Sequence, residues 1–164
     1  MPRSVILGIG NVLLSDDGAG VHAARLLAER LANRDDVCAL DAGTLSFTLA
    51  PLIEAADRLI ILDATQLNQA PGSVQCFLGS ELDRFLGRAR LTVHEIGLRD
   101  VMDVVRLAGT VPPERALIGI QPASLEWGTE PTPCVAESLE TIVRMTFDLL
   151  DSWPPHTQQD SRAA

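Results

Sequence analysis

The chain has 164 residues, 46% of them hydrophobic and 21% charged, with a formal net charge of −9. This is the make-up of one folded domain with a single substantial core. The acidic balance argues against nucleic acid and anionic membranes as partners, since both require clustered lysine and arginine, and it leaves a basic protein partner open.

The first strand and the loop after it carry the strongest local signal. Val5-Ile6-Leu7 is a buried-strand run that breaks into Gly8-Ile9-Gly10-Asn11 and then reaches two adjacent carboxylates, Asp16 and Asp17, where a helix begins. A strand, a glycine-containing loop and a helix form the unit whose rim binds ligands in open α/β sheets. A phosphate is disfavoured there. The dinucleotide fingerprint lacks its third glycine at Leu13, and the two aspartates bring negative charge into the space a phosphate would fill. A cation fits better, although Ser15, Asp16 or Asp17 could equally serve as a helix cap.

The first helix is expected from about Gly18 to Asn33, with Val21, Ala24, Leu27, Ala28 and Leu31 on one face. A second strand follows at Val37–Asp41. Gly43 and Thr44 then turn the chain into a short helix, Phe47–Ala56, which tolerates Pro51 only in its first turn. The third strand is Arg58–Asp63, and Pro71-Gly72 marks a turn before an edge strand at Ser73–Leu78. Leu82–Leu86 reads as a helical turn or two. Thr92-Val93-His94 precedes a helix with Leu98, Val101, Val105 and Ala108 in register, and Arg115–Ile120 is the last strand. Thr132 and Pro133 have the chemistry of an N-cap and a first-turn residue for a long final helix through Leu150.

The order β-α-β-α-β-β-α-β-α implies a three-layer α/β/α sandwich around a mostly parallel five-stranded sheet, with residues 1–153 as the domain and 154–164 as a disordered polar tail. Right-handed crossovers place the ends of the first and third strands on one rim, so Asp17 and Asp63 should converge there. His94, in the loop before the third long helix, can reach the same rim. Two carboxylates and an imidazole on an exposed rim suit zinc, nickel or another first-row ion with open positions. The alternatives are ordinary ones, a capping or turn aspartate and a solvated histidine. His22, within the first helix, and His156, in the tail, are weaker candidates.

No apolar run approaches membrane-spanning length, and Val5-Ile6-Leu7 is too brief for a signal-peptide core, so a cytoplasmic protein is expected. Cys38, Cys76 and Cys134 lie far apart with no C-x-x-C spacing. They read as inert thiols rather than disulfides or a cysteine zinc site.

From Ile6 to about Leu150 the chain resembles the hydrogenase maturation endopeptidases. The likeness rests on Gly8-Ile9-Gly10-Asn11, Asp16-Asp17-Gly18-Ala19-Gly20, Asp41-Ala42-Gly43-Thr44, Leu62-Asp63-Ala64, Pro71-Gly72, Thr92-Val93-His94, Gly119-Ile120-Gln121-Pro122 and Thr132-Pro133, in that order. The resemblance implies an aspartyl-type endopeptidase that removes the C-terminal extension of the nickel-iron hydrogenase large-subunit precursor after nickel insertion. It also implies that Asp17, Asp63 and His94 form both the metal-binding and the catalytic set. Some members carry Glu at the position of Asp17, and Gly43 and Thr44 match a segment that lines the family's cleft. In such enzymes the precursor brings the nickel, and zinc or cadmium can take its place in the site. A resident catalytic zinc is the mechanistic rival, and a non-enzymatic nickel-holding chaperone is the functional one. A small-molecule hydrolase or nucleotide-binding domain is disfavoured by the acidic loop. The protein is expected to act as a monomer.

Overall fold

The computed structural model describes residues 3–43, 47–88 and 90–154. Thr44, His156 and the tail from Pro155 onward lie outside the described residues. Within them the elements are β1 (Ser4–Ile9), α1 (Ala19–Arg30), β2 (Val37–Gly43), α2 (Ala50–Glu54), β3 (Arg58–Ala64), β4 (Val74–Leu78), α3 (Ser80–Leu86), α4 (Val93–Leu107), β5 (Glu114–Ile120) and α5 (Pro133–Ser152). The sheet runs β2-β1-β3-β5-β4. β2, β1, β3 and β5 are parallel, while β4 is antiparallel to β5 at the edge.

Every residue of β1 is buried, as befits a central parallel strand covered on both faces. Side chains of a strand alternate between faces, and the core divides accordingly. Val5, Leu7, Leu59, Ile61 and Leu117 pack with α2, α3 and α4, whereas Ile6, Ile60, Leu62, Ile118 and Ile120 pack with α1 and α5. Asp63 shares its parity with Leu59 and Ile61 and therefore belongs to the face covered by α4.

α1 lies unusually close to the sheet. A Cβ at Gly20 would collide with the Leu62 carbonyl oxygen, and one at Gly8 with the Gly20 carbonyl oxygen. Both obstacles are backbone and cannot rotate away. Gly20→Ala should therefore destabilise the domain by about 3 kcal/mol, the upper part of the range for overpacking. For a chain of this size thermal denaturation would register that as a drop of roughly 10 °C.

The elements depart from sequence expectation in instructive places. The short helix at 47–56 is a 3₁₀ turn, Phe47–Leu49, followed by α2, with Pro51 in the first turn as its chemistry demands. β2 extends two residues past Asp41 to Gly43, whose φ is +50°. Ala28 and Ala108 are exposed rather than in the core. Ala28 sits one residue, or 100°, off the Leu27 and Leu31 stripe, and Ala108 is the C-cap of α4, beyond its last packed turn. None of Ser15, Asp16 and Asp17 caps α1. Its N-cap is Gly18, with no side-chain cap bond, because all three side chains are engaged elsewhere.

Candidate active site

β1 ends at Ile9, and the chain turns at Gly10, whose φ of +135° suits only glycine and whose Cβ would meet the Asp17 carbonyl. Asn11 then braces the loop, its side-chain oxygen accepting from the Leu13 amide at 2.9 Å. Ser15 takes a left-handed conformation, φ +51°, at the start of a single 3₁₀ turn, Ser15–Gly18. That turn sends the two aspartates in different directions.

Asp16 goes inward and is fully buried. Its carboxylate accepts from the amides of Ala123 (2.8 Å), Ser124 (3.0 Å) and Thr132 (2.6 Å) and from the Thr132 hydroxyl (2.8 Å). Burial alone would raise its pKa, but these hydrogen bonds outweigh it and hold the carboxyl below the ordinary value. Thr132 is indeed the N-cap of α5, yet its hydroxyl serves Asp16 rather than the helix.

Asp17 faces the rim. One of its oxygens, Oδ2, accepts from the Asn11 amide at 2.9 Å and lies 2.8 Å from His94 Nε2. Since a carboxylate only accepts, Nε2 carries the hydrogen. Burial works to raise the Asp17 pKa, and the His94 and Asn11 hydrogen bonds more than reverse it, leaving the group below its ordinary value. Both side chains are partly shielded, 14% exposed for Asp17 and 12% for His94.

His94 lies in the first turn of α4 rather than in the loop before it. Thr92 is the N-cap and forms a reciprocal capping box with Glu95, which fixes where the helix starts and so where the imidazole points. Glu95 is the residue that sequence reasoning passed over, although the spacing Thr92-x-x-Glu95 is a capping-box signal. It is 1% exposed. Its carboxylate accepts from the Thr92 amide (2.9 Å) and from the Thr65 hydroxyl (3.0 Å) and has Arg88 at 3.9 Å. Arg88 in turn lies over the Phe85 ring.

Asp63, expected on an exposed rim, is instead 1% exposed, and neither carboxylate oxygen has a hydrogen-bond partner. The reason is topological: β3 runs to Ala64, so Asp63 lies within the strand and beneath α4. Burial, reinforced by the charges of Glu95 and Asp17 and only weakly opposed by the Ala64 amide, pushes its pKa well above the carboxylate range. A buried, unpartnered carboxyl is costly to a fold.

The structure thus joins Asp17 to His94 directly and brings Asp63 within electrostatic reach of Asp17. Among the described residues, no three His, Cys, Asp or Glu side chains are gathered as a ready ligand set for an ion. Beside this group lies a cleft of about 490 Å³ lined by Gln66, Asn68, Arg88, Arg90, Leu91, Thr92 and Glu95. A cleft of about 430 Å³ that includes Arg3, Arg34 and Arg58 lies at the opposite, amino-terminal rim of the sheet, remote from this chemistry. Cys38, Cys76 and Cys134 are free thiols, and burial together with Glu81 raises the Cys76 thiol to about 11, consistent with an inert group.

The titratable groups of this α/β domain cluster at the carboxyl ends of its parallel strands, the edge at which open sheets bind ligands. A family model described as hydrogenase maturation protease matches residues 21–149, a span that holds Asp63 and His94 and begins just after Asp17. The hydrogenase expression/formation protein HupD of Bradyrhizobium diazoefficiens is 36% identical over 152 residues, covering 92% of this chain and 79% of that one. The hydrogenase 2 maturation protease of Escherichia coli is 34% identical over 149 residues, 90% of each chain. In three dimensions the hydrogenase maturating endopeptidase HybD from E. coli superimposes with a TM-score of 0.82 at 31% identity, over 91% of this chain and 92% of that one. The [NiFe] hydrogenase maturation protease HybD from Thermococcus kodakarensis gives 0.77 at 31% identity, over 90% and 98%. The chain belongs to the hydrogenase maturation protease family, and both the fold and the hydrolase class follow.

Proposed function

We propose that this protein removes the C-terminal extension of a nickel-iron hydrogenase large-subunit precursor once nickel has been inserted, acting in the cytoplasm as a monomer. The observation that carries the reading is Asp63, a fully buried carboxyl with both oxygens unpartnered, next to the Asp17–His94 pair. A fold keeps such a group for a cation or proton that arrives with the substrate. Two carboxylates and an imidazole are donors suited to a first-row ion.

The nickel then arrives as part of the substrate, where it can polarise the scissile carbonyl. Hydrolysis of an amide also needs a group to take a proton from water and a group to return one to the leaving nitrogen. In this reading Asp17 and Asp63 handle those protons, and His94 holds Asp17 in place through the 2.8 Å contact. Zinc or cadmium would fill the same donor set. Membership of a protease family weighs against a chaperone that merely holds nickel. The described residues contain no helix long and apolar enough to cross a membrane.

Asp17→Asn keeps the shape of the side chain and removes its charge. The expected result is a loss of about 10³-fold in the rate of precursor cleavage, within the range for deleting an acid–base group, with the melting temperature changed by only a few degrees. Quantifying the shortened large subunit over time reads the first effect and thermal denaturation the second. A variant that processes at the wild-type rate removes Asp17 from the site.

A further inference from the structure

Trp127 is 82% exposed, Leu125 54% and Leu13 50%. Large apolar side chains on a free surface are unremarkable when scattered singly, but these three stand on two loops that the structure ties together. Leu14 and Gly128 form a parallel bridge. The Gly128 amide donates to the Leu13 carbonyl at 3.0 Å, and the Ser15 amide donates to the Gly128 carbonyl at 2.8 Å. The Ser15 hydroxyl donates to the Glu126 carbonyl at 2.8 Å. From beneath, the buried Asp16 carboxylate grips the amides of Ala123, Ser124 and Thr132.

Residues 122–132 contain no helix or strand, yet their backbone is fastened at both ends and in the middle. The position of Trp127 is therefore set before any partner arrives. A large, rigid aromatic on a pre-ordered backbone loses little entropy when covered, which is why such residues anchor protein interfaces.

We infer that Leu13, Leu125 and Trp127 are the docking surface for the folded body of the precursor, an inference that rests on the proposed function. Continuity with the reaction centre selects this occupant. Leu13 lies four residues before Asp17 in the same loop, and the carboxylate that fastens the Trp127 loop is that of the adjacent Asp16. Anything that covers these side chains therefore borders the loop that carries Asp17. Shape selects a folded partner over the extension peptide. The three side chains project into solvent and line neither of the two clefts described above, whereas an extended peptide needs walls.

The test is steady-state cleavage of purified, nickel-loaded precursor by the wild-type protein and by Trp127→Ala, Trp127→Phe, Leu125→Ser and Asp17→Asn, with sedimentation velocity of each enzyme alone. Trp127→Ala should raise KM at least about tenfold and leave kcat within about twofold, as expected for an interface anchor rather than a reacting group. Trp127→Phe should recover most of the loss, and Leu125→Ser should move KM in the same direction by less. Calorimetric titration of the precursor into Asp17→Asn with and without Trp127→Ala should show the same fold-change in Kd. An unchanged KM and Kd for Trp127→Ala, with Asp17→Asn inactive, would overturn the docking surface and leave the proposed function standing. If Trp127→Ala instead turns a self-associating enzyme into a monomer at constant KM, the occupant is a second copy of this chain and the inference is wrong. A wild-type protein that leaves the precursor uncut would overturn both.

Discussion

Asp63→Asn is expected to melt about 5 °C higher than the wild type at neutral pH while losing the ability to process the precursor. The amide is nearly the same size as the carboxyl and cannot ionise, so it escapes the cost of a charge that burial and the neighbouring Glu95 and Asp17 disfavour. Removing a buried ionisable group whose charge is so disfavoured is worth about 1–3 kcal/mol, and about 2–4 °C accompanies each kcal/mol in a chain of this length. The pH dependence has a definite sign. The folded-state pKa of Asp63 is raised, so the stability linked to it is complete below the unfolded carboxyl value and is lost as pH rises through the folded one. The advantage of Asp63→Asn should therefore be greatest at neutral pH and vanish below about pH 4, where the wild-type carboxyl is protonated in both states. Thermal denaturation of both proteins across that range reads it. An equal or lower melting temperature for the variant at neutral pH would show that the carboxylate is satisfied.

The largest loss of stability from a single rim-side residue is expected at Asp16. Asp16→Ala removes the common acceptor of three backbone amides and the Thr132 hydroxyl, leaving those donors without a partner in a buried place. Breaking such a charge-centred network costs about 3–5 kcal/mol, or roughly 10 °C or more in melting temperature. The pH dependence opposes that of Asp63. The folded pKa of Asp16 is depressed, so its contribution is present above the unfolded value and lost as pH falls through the folded one. Because the network fixes residues 122–132 against the loop that carries Asp17, cleavage should fall as well, although Asp16 does not touch the site. Amide hydrogen exchange should show Ala123, Ser124 and Thr132 losing protection. A variant with full stability and unchanged exchange would contradict the anchoring role.

The contrast between these two aspartates shows what was legible in the chain. The alternation of apolar runs and amphipathic stretches fixed the sheet, its edge strand and its covering helices, because burial on both faces leaves a pattern that few other folds produce. The approach of Asp17 to Asp63 was legible too, since crossover handedness brings the carboxyl ends of β1 and β3 together. What stayed hidden depended on contacts remote in sequence. Nothing local to Asp16-Asp17 says which one turns inward, since the partners of Asp16 lie more than a hundred residues away. Asp63 read as a strand tip, and only the extra residue of β3 and the cover of α4 make it a buried, unpartnered acid. Glu95 was announced by its spacing from Thr92, but a capping box says where a helix begins, not that its acid will face another across the core.

The most direct measurement is mass spectrometry of the purified precursor, with and without nickel, after incubation with metal-stripped wild-type protein and with Asp17→Asn, Asp63→Asn and His94→Ala. The wild type should shorten the nickel-loaded precursor at its C-terminus and leave the nickel-free form intact, and the three variants should leave both forms intact. Efficient cleavage of nickel-free precursor by the metal-stripped wild type, or normal cleavage by all three variants, would contradict the account.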